Sequence, residues 1–195
     1  MKPFLAAAAL CALAGAPAPA AAIYLSRSGD TATLSGSFAP GDDKVFADFL
    51  GPGPAPRVLY RNSYGGEIGS AIGIGRLVRK ARLTTAMRAE SEVCDSACTM
   101  VFIAGVKRHY IHGERVAEGI GSFTGLGFHP AHRRGNRIRP SIKSEEASDL
   151  VNRFYAEMGA PQAADLVARA MINSVFRPNG ATSLRMKIAT SLAEP

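Results

Sequence analysis

The alternation of strand and helix patterns through the middle of the chain is the feature that most limits its fold. A strand pattern at residues 57–61 is followed by helical spacing of apolar residues at 67–82. A second strand pattern, at 83–87, leads to an apolar helix at 96–104. Repeated strand–turn–helix units predict an α/β fold with largely parallel strand pairing.

The flanking regions extend this alternation. Two short strands are predicted at residues 23–25 and 31–35, joined by a Gly29-Asp30 turn, and a helix capped by Asp42 or Asp43 follows. Three further helices are predicted toward the C-terminus, at residues 144–158, 161–171 and 182–191. Because no repeat or linker interrupts the pattern, we expect residues 23–195 to form a single domain.

The first 22 residues have the pattern of a secretory signal. Lys2 precedes an alanine-rich apolar run, and small residues around Ala20 and Ala22 match signal peptidase sites. A permanent anchor fits less well, because a spanning helix needs about 20 apolar residues without paired prolines. Residues 1–22 are therefore predicted to be a signal peptide, and the mature protein is expected to be periplasmic or secreted.

The charge balance of the chain is basic. It has 23 Lys and Arg against 16 Asp and Glu, a formal net charge of +7. The basic segment 132–143 is interpreted as a solvated loop. The alternative is that this segment binds an anionic surface. No base-reading module and no phosphate-binding loop is recognisable, so neither nucleic acid nor a nucleotide is an expected partner.

The most specific chemical pattern is a serine-centred turn at residues 93–99, where Ser96 begins an apolar helix. Gly65 and Gly66 precede it, and His129 follows it. A nucleophile, exposed main-chain N–H donors and a base are the groups that acyl transfer requires. Taken singly, Ser96 would be an N-cap serine, the glycines a tight turn and His129 a structural histidine.

Cys94 and Cys98 flank this serine and would be the only cysteines left after removal of the leader. In an oxidising compartment such a pair predicts a disulfide, and residues four apart on a helical turn lie about 6 Å apart, within its reach. Two unbonded buried cysteines are the alternative. A zinc site with His109 and His112 is a weaker match, because the histidine spacing is shorter than in a zinc finger, so no metal is expected.

The order of these motifs resembles the Clp-type serine peptidases of the Clp peptidase/crotonase superfamily, and in particular exported members whose serine is flanked by cysteines. The resemblance extends over about residues 30–130, and its segments are 62–66, 96–98, 104–108 and 127–129. It implies a fold of stacked β-β-α units, a peptide or protein substrate, no cofactor and a homo-oligomer.

The resemblance also implies individual roles. Ser96 would be the nucleophile and His129 the general base. The oxyanion hole would consist of the main-chain N–H groups of Gly65 or Gly66 and of Ala97. These roles agree with general chemistry, since glycines let a backbone approach a substrate carbonyl and the pKa of histidine lies near working pH.

The expected third member of a catalytic triad is missing. The family has an acid near the position of residues 172–176, but this stretch contains no carboxylate. Asn173 is the candidate for orienting His129, as asparagine does in cysteine proteases. The nearby acids Asp149 and Asp165 are interpreted as parts of solvated helix faces. The sequence thus predicts an exported serine hydrolase, with a non-catalytic binding or scaffold protein as the alternative.

Overall fold

The computed structural model describes residues 23–133 and 142–195. Up to residue 111 the elements are β1 (Ile23–Ser28), β2 (Thr31–Gly36), α1 (Asp42–Leu50), β3 (Val58–Asn62), α2 (Ile68–Lys80), β4 (Thr84–Arg88), β5 (Val93–Asp95), α3 (Ala97–Ile103) and β6 (Lys107–Ile111). A 3₁₀ turn (Gly113–Arg115) is followed by β7 (Gly119–Ile120), β8 (Gly125–Gly127), β9 (His132–Arg133), β10 (Ile142–Lys143), α4 (Glu145–Glu157), α5 (Ala163–Ala168), β11 (Phe176–Arg177) and α6 (Gly180–Arg185).

The largest sheet has five strands in the order β1-β2-β3-β4-β6. The β1–β2 pair is antiparallel, and the other three pairs are parallel. Leu34, Leu59 and Met87 are fully buried on successive strands. Because parallel strands need crossover connections, helices α1, α2 and α3 lie between strands along the chain. The predicted α/β class is therefore confirmed, with a mixed sheet.

A second, smaller set of strands positions the residues that the sequence singled out. Strand β5 pairs in parallel with β8, and a bridge between Ser63 and Cys94 joins β5 to the end of β3. An antiparallel bridge between Phe128 and Phe176 adds the first residue of β11. The chain segments around Gly65, Ser96 and His129 therefore lie side by side, although they are far apart in sequence.

The C-terminal region differs from its prediction. Strand β6 was not expected, and the last helix ends at Arg185 instead of residue 191. Residues beyond it run along the free edge of β6, where the Tyr110 N–H donates to the Ser191 carbonyl at 2.9 Å. The buried Arg108 side chain fixes this segment by donating to the carbonyls of Lys187 and Ile188. An uncovered edge would leave main-chain groups unpaired, so tertiary contact overrides the local helical pattern.

Smaller differences concern helix boundaries. Gly41, not Asp42 or Asp43, is the N-cap of α1, and the Asp42 carboxylate instead accepts from the Ala39 N–H at 2.7 Å. Helix α5 is shorter than predicted. The predicted signal peptide and most of the basic segment 132–143 lie outside the described residues. Within the described ranges, no helix combines the length and the apolar character needed to span a membrane.

Candidate active site

Ser96 lies on a sharp turn between β5 and α3. Its backbone has φ 55° and ψ −125°, a left-handed conformation that residues with side chains rarely adopt. The turn is fixed on both sides, because the Ser96 N–H donates to the Gly127 carbonyl at 2.8 Å and its carbonyl accepts from the Thr99 N–H at 2.9 Å. Strained strand-to-helix turns of this kind expose a serine side chain at catalytic sites.

The predicted disulfide between Cys94 and Cys98 is confirmed. Their Cα atoms are 5.1 Å apart and both residues are fully buried. The bond closes a ring of five residues with Ser96 at its centre. Because the sulfur atoms are bonded to each other, neither thiolate is available to bind zinc with His109 and His112. The disulfide is compatible with an exported protein.

A buried ion pair holds the strand that precedes Ser96. The Arg177 guanidinium donates to both carboxylate oxygens of Asp95, at 2.6 and 3.0 Å. It also donates to the carbonyls of Ser122 and Gly125. Bidentate pairs of this kind fix geometry as well as charge. The sequence did not reveal this pair, because its members are 82 positions apart and Arg177 lies in no recognisable motif.

The helix side of the turn is also held by buried groups. The Thr99 hydroxyl donates to the Ser96 carbonyl at 2.6 Å and lies 2.8 Å from the hydroxyl of Tyr155. Tyr155 belongs to α4, so this contact ties the serine turn to the long C-terminal helix. Burial raises the pKa of the Tyr155 hydroxyl, which therefore stays protonated and can keep donating.

Ser96 and His129 line the same cavity, which has a volume of about 400 Å³. Gly65, Gly66 and Ala97 also line it. The apolar part of its wall is formed by Phe38, Ile68, Met100, Phe128, Val151 and Tyr155. The structure thus brings together the candidate nucleophile, the candidate base and the candidate oxyanion-hole residues.

The main-chain donors beside Ser96 are not equivalent. The Gly65 N–H donates to the Ser63 hydroxyl at 3.1 Å. The N–H groups of Gly66 and Ala97 have no hydrogen-bond acceptor among the residues that the structure describes. Gly65 contributes by its small size instead: at φ 92°, a Cβ atom there would lie 2.7 Å from the Ser96 Cβ. The unoccupied donors are therefore those of Gly66 and Ala97.

His129 is half-buried, and its Nδ1 atom lies 2.9 Å from the Pro130 carbonyl oxygen. Burial lowers the pKa of His129, and the neighbouring His132 adds to this effect. The contact with Pro130 and the negative charge of Asp95 act in the opposite direction. The imidazole is thus neutral and able to accept a proton at neutral pH. Within the described ranges, the Ser96 hydroxyl makes no hydrogen bond, to His129 or to any other group.

The structure does not bring Asn173 to His129. Asn173 lies in an exposed turn before β11 and does not line the cavity. The turn is closed locally, with the Met171 N–H donating to the Ser174 hydroxyl at 2.8 Å. Asp149 and Asp165 are exposed on helices, as the sequence predicted. The carboxylate next to the site is instead Asp95.

No protein-family model and no curated protein matches this chain. Among solved structures, the fold is similar to that of the 1510-N membrane-bound stomatin-specific protease, in its S97A mutant. The TM-score is 0.59 with 9% sequence identity, over 84% of this chain and 78% of the protease chain. The similarity supports an α/β fold of the kind that this protease has. At this level of identity it concerns the fold alone.

Proposed function

We propose that this protein is an exported serine hydrolase of the Clp-peptidase-like type, cleaving peptide bonds or related acyl bonds. The observation that supports this most strongly is that Ser96, on its left-handed turn, lines the same cavity as His129. This backbone conformation costs free energy, so a serine keeps it only where the surrounding structure maintains it. Such maintained strain is typical of functional sites.

In the proposed reaction the Ser96 hydroxyl transfers its proton to Nε2 of His129 while its oxygen attacks the substrate carbonyl carbon. The tetrahedral intermediate collapses by breaking the bond to the leaving group, which takes the proton from His129. Water then attacks the acyl-serine ester, again with His129 as the base, and frees the acid product and the Ser96 hydroxyl. No cofactor is needed in this sequence of steps.

The negative oxygen of the intermediate would be stabilised by the N–H groups of Gly66 and Ala97. Both lie at the cavity and both are free of other acceptors within the described residues. One such donor is typically worth about 10²–10³ in rate. The Gly65 N–H is occupied by the Ser63 hydroxyl, and Gly65 contributes by lacking a side chain, which lets its backbone approach Ser96 and Ala97.

Labelling with a fluorophosphonate, which reacts with activated serines, tests this proposal. The mature protein is expected to be labelled at Ser96, and labelling should disappear in Ser96→Ala and in His129→Ala. Ser37→Ala is the matched control, because Ser37 lines the same cavity without the strained turn. Its labelling should equal that of the unchanged protein.

One observation favours a second function, a non-catalytic binding protein. The Ser96 hydroxyl is not hydrogen-bonded to His129, whereas an active dyad requires that contact in the reacting complex. Folded protein that resists labelling at every serine would favour this alternative. The homo-oligomer that the family resemblance implies is a separate proposal, which light scattering of the purified protein tests.

A further inference from the structure

The described part of the chain provides His129 with no acidic hydrogen-bond partner. Asn173 is exposed on a separate turn. Asp95 is close enough to influence the charge state of His129, but both of its oxygens are bound by Arg177, at 2.6 and 3.0 Å. Its charge is therefore balanced, and its carboxylate is held toward the guanidinium.

We propose that the main-chain carbonyl of Pro130 orients His129, in the place that an acidic side chain takes in a catalytic triad. The inference rests on the proposed function for its catalytic meaning. Nδ1 of His129 lies 2.9 Å from this oxygen, so the ring nitrogen that donates is Nδ1. A histidine whose Nδ1–H is bound to a carbonyl keeps Nε2 unprotonated, and Nε2 is then the nitrogen that accepts the serine proton.

The position of this carbonyl is well defined by its neighbours. Pro130 is buried, and its ring restricts its own backbone φ angle. On one side, Phe128 exchanges two main-chain hydrogen bonds with Phe176, each of 2.9 Å. On the other side, the Ala131 carbonyl accepts from the Ser144 N–H at 2.9 Å. The segment that carries both His129 and its acceptor is thus anchored at each end.

A second imidazole shares the same acceptor. Nδ1 of His132 lies 3.3 Å from the Pro130 oxygen, and the two rings are 5.2 Å apart between centroids. A carbonyl oxygen has two lone pairs and can accept from both rings. His132 therefore shares the acceptor of His129, and His129 has the shorter contact of the two.

The arrangement has a chemical consequence. A neutral carbonyl fixes the tautomer and the orientation of an imidazole, as an acid does, but it offers less stabilisation to the imidazolium that forms during attack. We therefore expect an active but slow serine. We also expect that introducing an acid at position 173 will not accelerate the reaction of Ser96, because residue 173 does not line the cavity.

Nitrogen-15 NMR of the imidazole rings tests the assignment directly. In the full mature chain above the titration range, His129 is expected to show a protonated Nδ1 and an unprotonated Nε2, with its signals identified by their loss in His129→Gln. The same tautomer is expected in Ser96→Ala and His132→Phe. A protonated Nε2 with a bare Nδ1 would overturn the proposal.

Two variants at position 173 complete the test. Labelling rates of Asn173→Ala and Asn173→Asp should stay within about twofold of the unchanged protein. A tenfold change in either variant would assign the orienting role to residue 173 and overturn ours. The tautomer is measured without any reaction, so an Nδ1–H tautomer in protein that is never labelled would contradict the hydrolase proposal and leave the Pro130 contact intact.

Discussion

The two sides of the cavity are held in different ways. The Ser96 wall, residues 93–99, is fixed by a disulfide, a bidentate ion pair and buried hydroxyl contacts. The His129 wall, residues 127–132, is fixed mainly by main-chain hydrogen bonds, and the His129 ring contacts the carbonyl of the next residue.

This difference indicates which side of the cavity has an unfavourable backbone conformation to maintain. The Ser96 turn has an unfavourable backbone conformation, so it needs strong surrounding contacts to persist. The histidine adopts no such conformation and needs only one acceptor to set its tautomer. We therefore expect changes around Ser96 to lower stability and reactivity together, and changes at His129 to lower reactivity almost alone.

The largest expected effect on stability is that of Arg177→Met. The substitution leaves the Asp95 carboxylate buried without its partner, which typically costs about 3–5 kcal/mol. Urea unfolding followed by circular dichroism measures this cost. The matched control is Arg76→Met, which breaks an exposed pair with Glu157 and should cost about 0–1 kcal/mol. Equal losses in the two variants would contradict a special role for the buried pair.

Loss of the disulfide should have a smaller effect. In the chain-entropy treatment a five-residue ring contributes about 2 kcal/mol, because it restricts the unfolded chain little. The double variant Cys94→Ala/Cys98→Ala should therefore fold but react more slowly with the fluorophosphonate, since the Ser96 turn loses its closure. Thermal unfolding with and without reductant gives the comparison, and the double variant should not respond to the reductant. Unchanged labelling would show that the turn does not depend on the bond.

His129→Gln should change stability least, by about 1 kcal/mol or less, because one hydrogen bond of a half-buried side chain is lost. Its labelling rate should nevertheless fall by about 10²–10⁴-fold, the usual contribution of a general base. Calorimetry and labelling kinetics on the same preparation measure both. A variant that unfolds as easily as Arg177→Met would remove the distinction between the two walls.

The smallest expected effect concerns the pH dependence of the labelling rate. Burial lowers the pKa of His129 from its ordinary value of 6.5, with His132 adding to the decrease and Pro130 and Asp95 opposing it. His129 is thus mostly neutral at pH 6.5, and the labelling rate should fall to half of its maximum only at a lower pH. His132→Phe removes a neighbour that lowers the pKa of His129 and should shift this midpoint upward. A midpoint above 6.5 in the unchanged protein would contradict the burial of the base.

The same shift affects stability, with a defined sign. The unfolded chain takes up a proton at His129 near pH 6.5, whereas the folded chain does so only at lower pH. His129 therefore contributes to stability above pH 6.5, where it is neutral in both states. This contribution is lost as the pH falls through the pKa of His129 in the folded chain. His129→Gln should remove that small acid-side decrease.

Much of the fold was predictable from local patterns. The β1–β2 hairpin around Gly29-Asp30 and the helices α2 and α4 follow directly from turn chemistry and apolar spacing. Strand β6 was not predictable in this way, because its charged residues conceal the alternation. Its Tyr110 is buried by contacts with Phe102 and with the end of the chain.

By itself the sequence determined the α/β class and the residues that meet at the cavity, Ser96, His129 and the glycines, because turn, cap and periodicity signals act over a few residues. It also determined the cysteine spacing that permits the disulfide. Only the tertiary structure decided which group meets Nδ1 of His129 and what balances Asp95. The Arg177 side chain that balances Asp95 comes from 82 positions away, and the contact of His129 with its neighbour Pro130 depends on a side-chain orientation that no local pattern records.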